Sequence, residues 1–128
     1  MQLTKEMILG KNPQLKEIEV PEWGGSVFIR PITLQEQATL ADMGAKFDRG
    51  SVVVRMKHVT LQLVRWAVVD GDGQPIFEEK DVETLMGKTA SAFLRLQDAI
   101  LKYSGLTEKS REELEKNLSG QSEGQDSQ

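Results

Sequence analysis

Apolar and polar residues alternate in two short stretches near the N-terminus, which is the pattern of β-strands. Residues 17–20 alternate acidic and apolar side chains, and residues 26–30 are rich in strand-forming side chains before Pro31. The segment between them, Pro21-Glu22-Trp23-Gly24-Gly25, contains the glycines that a tight turn requires. We therefore expect a β-hairpin over residues 16–31.

Helical patterns follow the hairpin. Thr33 and Glu36 form a capping box, which predicts a helix from residue 34 to about residue 47. The next helix, over roughly residues 52–68, carries an apolar stripe composed of Val52, Met56, Val59, Leu63 and Trp66. The β-branched residues in this stretch leave a strand over residues 59–64 as an alternative.

Three further helices are predicted towards the C-terminus. Asp81 caps a short helix that ends at residue 86, and a longer helix covers about residues 89–103. The longer helix has an apolar face composed of Ala90, Phe93, Leu94, Ile100 and Leu101. A last, charged helix begins at Thr107 or Ser110 and ends near residue 117.

This order of elements predicts an α+β fold, with an N-terminal β-hairpin followed by a mainly helical domain of four to five helices. A chain of 128 residues is long enough for one domain. We place that domain at residues 1–118, with its helices over about residues 34–118. Residues 119–128 contain no apolar side chain, so we expect them to form a disordered polar tail.

The first helix after the hairpin is apolar on two faces. Leu34 and three alanines lie on one side, and Leu40, Met43 and Phe47 lie nearly opposite. Such a helix is either sandwiched or has one face left for a partner. We name Leu40, Met43 and Phe47 as candidate partner-binding residues. Trp23 at the hairpin tip is a second candidate, although a tryptophan packed under its own turn is the commoner outcome.

Charge is unevenly distributed along the chain. The net charge is −4, but residues 49–69 contain four bases and no acid, whereas residues 70–83 contain six acids and one base. We expect these two blocks to face each other in the fold. Arg55, His58 and Arg65 form a basic stripe on the helix predicted for the first block. Four bases without interleaved exposed aromatic residues are only a weak indication of nucleic-acid binding, so we expect no nucleic-acid partner.

Candidate chemistry is scarce. The chain has no cysteine, and its single histidine has no companion ligands. The segment Met86-Gly87-Lys88-Thr89 lacks the earlier glycine of a phosphate-binding loop, and the segment from Asp70 has Pro75 where a calcium loop needs glycine. We expect a helix boundary and a turn there, no catalytic, cofactor or metal site, and no enzymatic activity. Without an export signal or a membrane-spanning stretch, we expect a cytoplasmic location and no membrane partner.

Several segments occur together in a characteristic order. They are the hairpin Glu17-Ile18-Glu19-Val20-Pro21-Glu22-Trp23-Gly24-Gly25 with Val27-Phe28-Ile29-Arg30, then Val69-Asp70-Gly71-Asp72-Gly73-Gln74-Pro75-Ile76-Phe77, Asp81-Val82 with Leu85, and Ser104-Gly105-Leu106-Thr107 leading to Glu115-Lys116-Asn117. In order and spacing, over roughly residues 8–117, this combination resembles the tail assembly chaperones of long-tailed, siphovirus-type phages and prophages.

The resemblance implies a non-enzymatic protein of virion morphogenesis, without cofactors. Such a protein binds the tape measure protein and promotes assembly of the tail tube protein around it; self-association stays open. The resemblance also implies a location in the host bacterial cytoplasm and absence from the mature virion. Two alternatives remain: a structural tail completion or connector protein, and a small nucleic-acid-binding regulator.

Overall fold

The computed structural model describes residues 1–46 and 52–105 of the chain. Its strands are β1 (Lys16–Val20), β2 (Gly25–Ile29) and β3 (Val68–Val69). Its α-helices are α1 (Lys5–Leu9), α2 (Leu34–Lys46), α3 (Val52–Arg55), α4 (Leu61–Ala67), α5 (Val82–Met86) and α6 (Ala90–Tyr103). A π-helical turn, Met56–Thr60, joins α3 to α4, so residues 52–67 form one continuous central helix. The predicted α+β class, a hairpin followed by helices, is confirmed.

The predicted β-hairpin is present, with β1 and β2 antiparallel. Lys16 lies opposite Ile29 and Val20 lies opposite Gly25. Gly24 makes the turn possible because its φ is +72°, a conformation that side chains with a Cβ rarely adopt. The hairpin contributes Val20 and Ile29 to the core, and both are fully buried.

The third strand was not predicted. The sequence pattern continued the central helix to residue 68, but α4 ends at Ala67 and the next two residues pair with β2. Val68 lies opposite Ile29, and Val69 lies opposite Phe28, giving the sheet order β1-β2-β3. Valine fits a buried strand at least as well as a helix, so pairing with the free edge of β2 explains why Val68 and Val69 form a strand.

The central helix lies within the core rather than on its surface. The strand alternative for residues 59–64 is wrong, since these residues are helical. Val59 and Leu63 of the predicted stripe are buried, but Leu61 and Val64, which lie outside that stripe, are buried as well. The helix is therefore covered on several sides, because α2, α6 and the sheet pack around it.

Helix α6 buries the predicted apolar face in part. Phe93, Ile100 and Leu101 are buried as expected, but Ala92 and Leu96 complete the face. Ala90 is exposed, and Leu94 keeps 51% of its surface accessible among the described residues. The prediction for Ala90 and Leu94 is thus wrong, because the sheet and α4 contact the helix from a side that periodicity alone does not identify.

Some predictions concern parts of the chain outside the described residues. They are Phe47, the charged helix ending near residue 117, and the polar tail over residues 119–128. Within residues 1–46 and 52–105, no helix has the length and apolar character needed to cross a membrane.

Candidate partner-binding site

The face of α2 that was predicted to bind a partner belongs to the core. Leu40 is fully buried, and Met43 is half-buried against the core, whereas Leu34 on the other face is 85% exposed. The prediction for Leu40 is therefore wrong. The physical reason is size: burying Leu40 and Met43 removes more apolar surface from water than burying the alanines opposite them. Phe47, the third member of this candidate face, lies outside the described residues.

Trp23 packs under the hairpin rather than standing free at its tip. Its ring meets the ring of Phe93 edge-to-face, with centroids 5.6 Å apart and an interplanar angle of 72°. The adjacent Glu22 carboxylate accepts hydrogen bonds from Arg95 Nε at 3.2 Å and from Ser91 Oγ at 2.8 Å. The Arg95 hydrogen bond is the main cause that lowers the pKa of Glu22 to about 2. Trp23 therefore joins the hairpin to α6.

The basic and acidic blocks of the sequence face each other, as predicted. Lys57 of the π-helical turn forms a salt bridge with Glu83 of α5. These two residues line a cleft of about 340 Å³ together with His58, Arg65 and Glu79. Cations of the central helix thus lie opposite acids of the segment leading into α5 and of α5 itself.

The predicted basic stripe does not form an open basic surface. Arg55 is buried, with 9% of its surface accessible, whereas His58 is exposed and Arg65 is half-buried. Arg65 Nη1 donates to Gln62 Oε1 at 3.4 Å, and its buried Nε has no hydrogen-bond partner among the described residues. Phosphate recognition needs several accessible cations, so this arrangement gives the nucleic-acid alternative no support.

An apolar groove lies where the π-helical turn, α4, α5 and the start of α6 meet. It has a volume of about 160 Å³ and is lined mainly by apolar side chains, namely Met56, Leu61, Leu85, Met86, Ala90 and Phe93. Leu61, Leu85 and Phe93 are at least 95% buried and form its base, while Met86 is 37% exposed. Methionine side chains adapt to differently shaped apolar partners. The groove can therefore bind an apolar side chain of a partner, and such binding involves no covalent step.

Sequence reasoning missed this groove. Met56, Met86 and Phe93 come from three separate parts of the chain; Met56 and Phe93 were assigned to ordinary helix faces and Met86 to the end of a short helix. A second apolar surface lies on α1, which contains Met7 and Ile8 and buries none of its residues. Ile8 is 57% exposed and Leu9 is 74% exposed.

The segments considered for phosphate or calcium binding have structural roles. The Asp70 carboxylate accepts hydrogen bonds from the backbone N–H groups of Asp72 at 2.9 Å and Gln74 at 3.0 Å, which closes the predicted turn. Gly87 ends α5 and Thr89 precedes α6, as predicted. Asp81 departs from its predicted role, because its Oδ2 accepts from Glu78 N at 2.7 Å and gives α5 no side-chain cap. Among the described residues, no group of three acidic or histidine side chains is placed to hold a metal ion.

Comparison of the chain with protein-family models, with characterised proteins and with solved structures produced no match. Any proposal for the function therefore rests on the geometry described above and on the sequence resemblance.

Proposed function

We propose that this protein is a non-enzymatic phage tail assembly chaperone that binds the tape measure protein and promotes tail tube assembly. The observation that carries the proposal is the groove at Met56, Met86 and Phe93, an accessible apolar site at the edge of the core. A chaperone for a long helical protein needs such a site, because the apolar face of an amphipathic helix binds by inserting side chains into a groove. The sequence resemblance supplies the identity of the partner.

The groove replaces the face of α2 as the proposed partner-binding site. Leu40 cannot contact a partner while the core is intact, since it is fully buried. The proposed partners are the tape measure protein and the tail tube protein, and the proposed location is the host bacterial cytoplasm. The mature virion would then lack the protein, because a chaperone of tail assembly has no role once the tail is complete.

A matched pair of substitutions tests the site. Met86→Asp places a charge in the groove, and Met7→Asp places the same charge on α1, where the methionine has a similar exposure, 41% against 37%. We expect Met86→Asp to weaken binding to the helix-rich tape measure protein at least tenfold, about 1.4 kcal/mol, and Met7→Asp to leave binding unchanged. Isothermal titration calorimetry measures both.

Two results would contradict the proposal. Loss of binding in Met7→Asp but not in Met86→Asp would assign the partner to α1 instead of the groove. Abundant protein in purified mature virions would favour the tail completion or connector alternative. A very long, helix-rich protein encoded immediately downstream would supply the expected partner.

A further inference from the structure

The cleft between the central helix and α5 is lined by a guanidinium group that the protein leaves largely unused. Arg65 Nη1 donates to Gln62 Oε1 at 3.4 Å, which is a long and therefore weak bond. The Nε of Arg65 is buried, and within residues 1–46 and 52–105 neither Nε nor Nη2 has a hydrogen-bond partner. In the planar guanidinium the Nε–H and one N–H of Nη2 point along the same edge. Arg65 therefore has two adjacent donors without an acceptor.

A carboxylate is the acceptor that fits this edge of Arg65. Its two oxygens accept two parallel N–H bonds, whereas a water molecule supplies one acceptor atom. Two acidic side chains, Glu79 and Glu83, already line the cleft. Their negative charge disfavours a doubly charged phosphate more than a singly charged carboxylate. The cleft therefore suits a ligand with one carboxylate group.

The acidic wall of the cleft provides a second contact. Glu83 is already paired, since it forms a salt bridge with Lys57. The nearby Lys80 lies within salt-bridge distance of Glu78. Glu79, which is exposed and lines the cleft, has no basic partner in the part of the chain that the structure describes. An ammonium group of the same ligand would neutralise this charge.

The size and the remaining lining of the cleft fit a small aliphatic molecule. Its volume of about 340 Å³ lies in the range of small-molecule sites, roughly 300–1,000 Å³. Met43 and Val82 also line it, and both are half-buried against the core. Methylene groups of a ligand would contact these two side chains. The cleft thus combines a donor edge, a free carboxylate and an apolar wall.

We propose that this cleft binds a small amino carboxylate, a molecule with one carboxylate, one ammonium group and a short aliphatic chain. Its carboxylate accepts from Nε and Nη2 of Arg65, and its ammonium group contacts Glu79. None of the residues named above for the apolar groove lines this cleft. The inference is therefore independent of the proposed function, and either can fail without the other.

The probe for this site is γ-aminobutyrate, with butyrate and n-butylamine as controls that each keep one of its two charges. We expect γ-aminobutyrate to bind to the full chain about tenfold more tightly than either control, because each control leaves one charged group of the cleft without a partner. An NMR titration that follows the Arg65 Nε–H signal measures the affinity and identifies the site together. Equal affinities for the three compounds would overturn the proposal, as would γ-aminobutyrate binding that leaves this signal unmoved or no saturable binding at all.

Two neighbouring glutamates provide a matched pair of variants. Glu79 and Glu78 are both exposed, but only Glu79 lines the cleft. We expect Glu79→Gln to lower the affinity for γ-aminobutyrate to about that for butyrate, and Glu78→Gln to leave it unchanged. Equal losses in the two variants would indicate a general effect of charge and overturn the proposal, as would full affinity in Glu79→Gln.

Arg65→Lys tests the donor edge separately from its charge. Lysine keeps the positive charge but lacks the planar pair of N–H groups. We expect this variant to bind γ-aminobutyrate no more tightly than n-butylamine, and an unchanged preference for γ-aminobutyrate would overturn the role of the edge. Urea denaturation checks that the variant is folded. If it is not, Glu79→Gln decides the question, because Glu79 is exposed and its substitution spares the core.

Discussion

Substitution of Leu40 distinguishes a core role from a partner-binding role. Leu40 is fully buried in α2, so Leu40→Ala removes three carbons that are shielded from water. At about 0.8 kcal/mol for each carbon, the lost transfer free energy is about 2.4 kcal/mol. The cavity left behind adds to this, so we expect the free energy of unfolding to fall by about 3–4 kcal/mol. That is a large fraction of the roughly 5–15 kcal/mol that stabilises a typical domain.

Leu34 provides a matched control on the same helix. It is 85% exposed, so Leu34→Ala should change the free energy of unfolding by less than about 0.5 kcal/mol. Urea denaturation followed by circular dichroism measures both variants, with comparable slopes expected because both unfold the same surface. Equal small losses for Leu40→Ala and Leu34→Ala would refute the assignment of Leu40 to the core. A partner-binding role without a core role would instead leave stability unchanged and weaken only the complex.

Two further predictions concern polar contacts: those that attach the hairpin to α6 and those that cap the N-terminus of α2. The Arg95 guanidinium, with Ser91, lowers the pKa of Glu22 from 4.5 to about 2, so the stabilisation from this carboxylate is complete above pH 4.5 and is lost as the pH falls to about 2. Urea denaturation over this pH range should show a larger loss in the original chain than in Glu22→Gln, in which Glu36, whose pKa is also lowered, still contributes its own loss. Thr33→Ala removes the hydroxyl that accepts from Glu36 N at 3.1 Å, and should lower the free energy of unfolding by about 1 kcal/mol in the same assay. Thr39→Ala, within the helix, should cause no such loss, and equal losses would contradict the capping role.

The features predicted correctly from the sequence depend on neighbouring residues. The hairpin follows from alternation on both sides of a glycine-containing turn, and Gly24 adopts the required positive φ. The start of α2 follows from the reciprocal bonds of Thr33 and Glu36: Thr33 N donates to Glu36 Oε1 at 2.9 Å. Burial raises the pKa of Glu36, but its bonds to Arg30 and Thr33 outweigh burial and leave the pKa lowered. Such contacts span few residues, so a sequence pattern identifies them.

The features predicted wrongly depend on which elements meet in three dimensions. Periodicity showed that α2 has two apolar faces, but only the packing of α2 against the central helix selects Leu40 for the core and leaves Leu34 in solvent. Leu94 is a similar case, since it follows the buried Phe93 on the predicted apolar face yet lies outside the face that α6 buries. The groove is the extreme case, because Met56 and Met86 are separated by thirty positions and meet only in the fold.

The size of the groove bears on how a chaperone of this kind would act. A volume of about 160 Å³ accommodates one or two aliphatic side chains, and burying one such side chain contributes about 1.5–3 kcal/mol. A free energy of that size corresponds to a dissociation constant of millimolar or weaker for one isolated contact. Strong association with a long partner would therefore arise from many copies, or many helical segments, each held weakly. Under the proposed function, weak individual contacts would also allow tube subunits to replace the chaperone along the same helix without nucleotide or covalent chemistry.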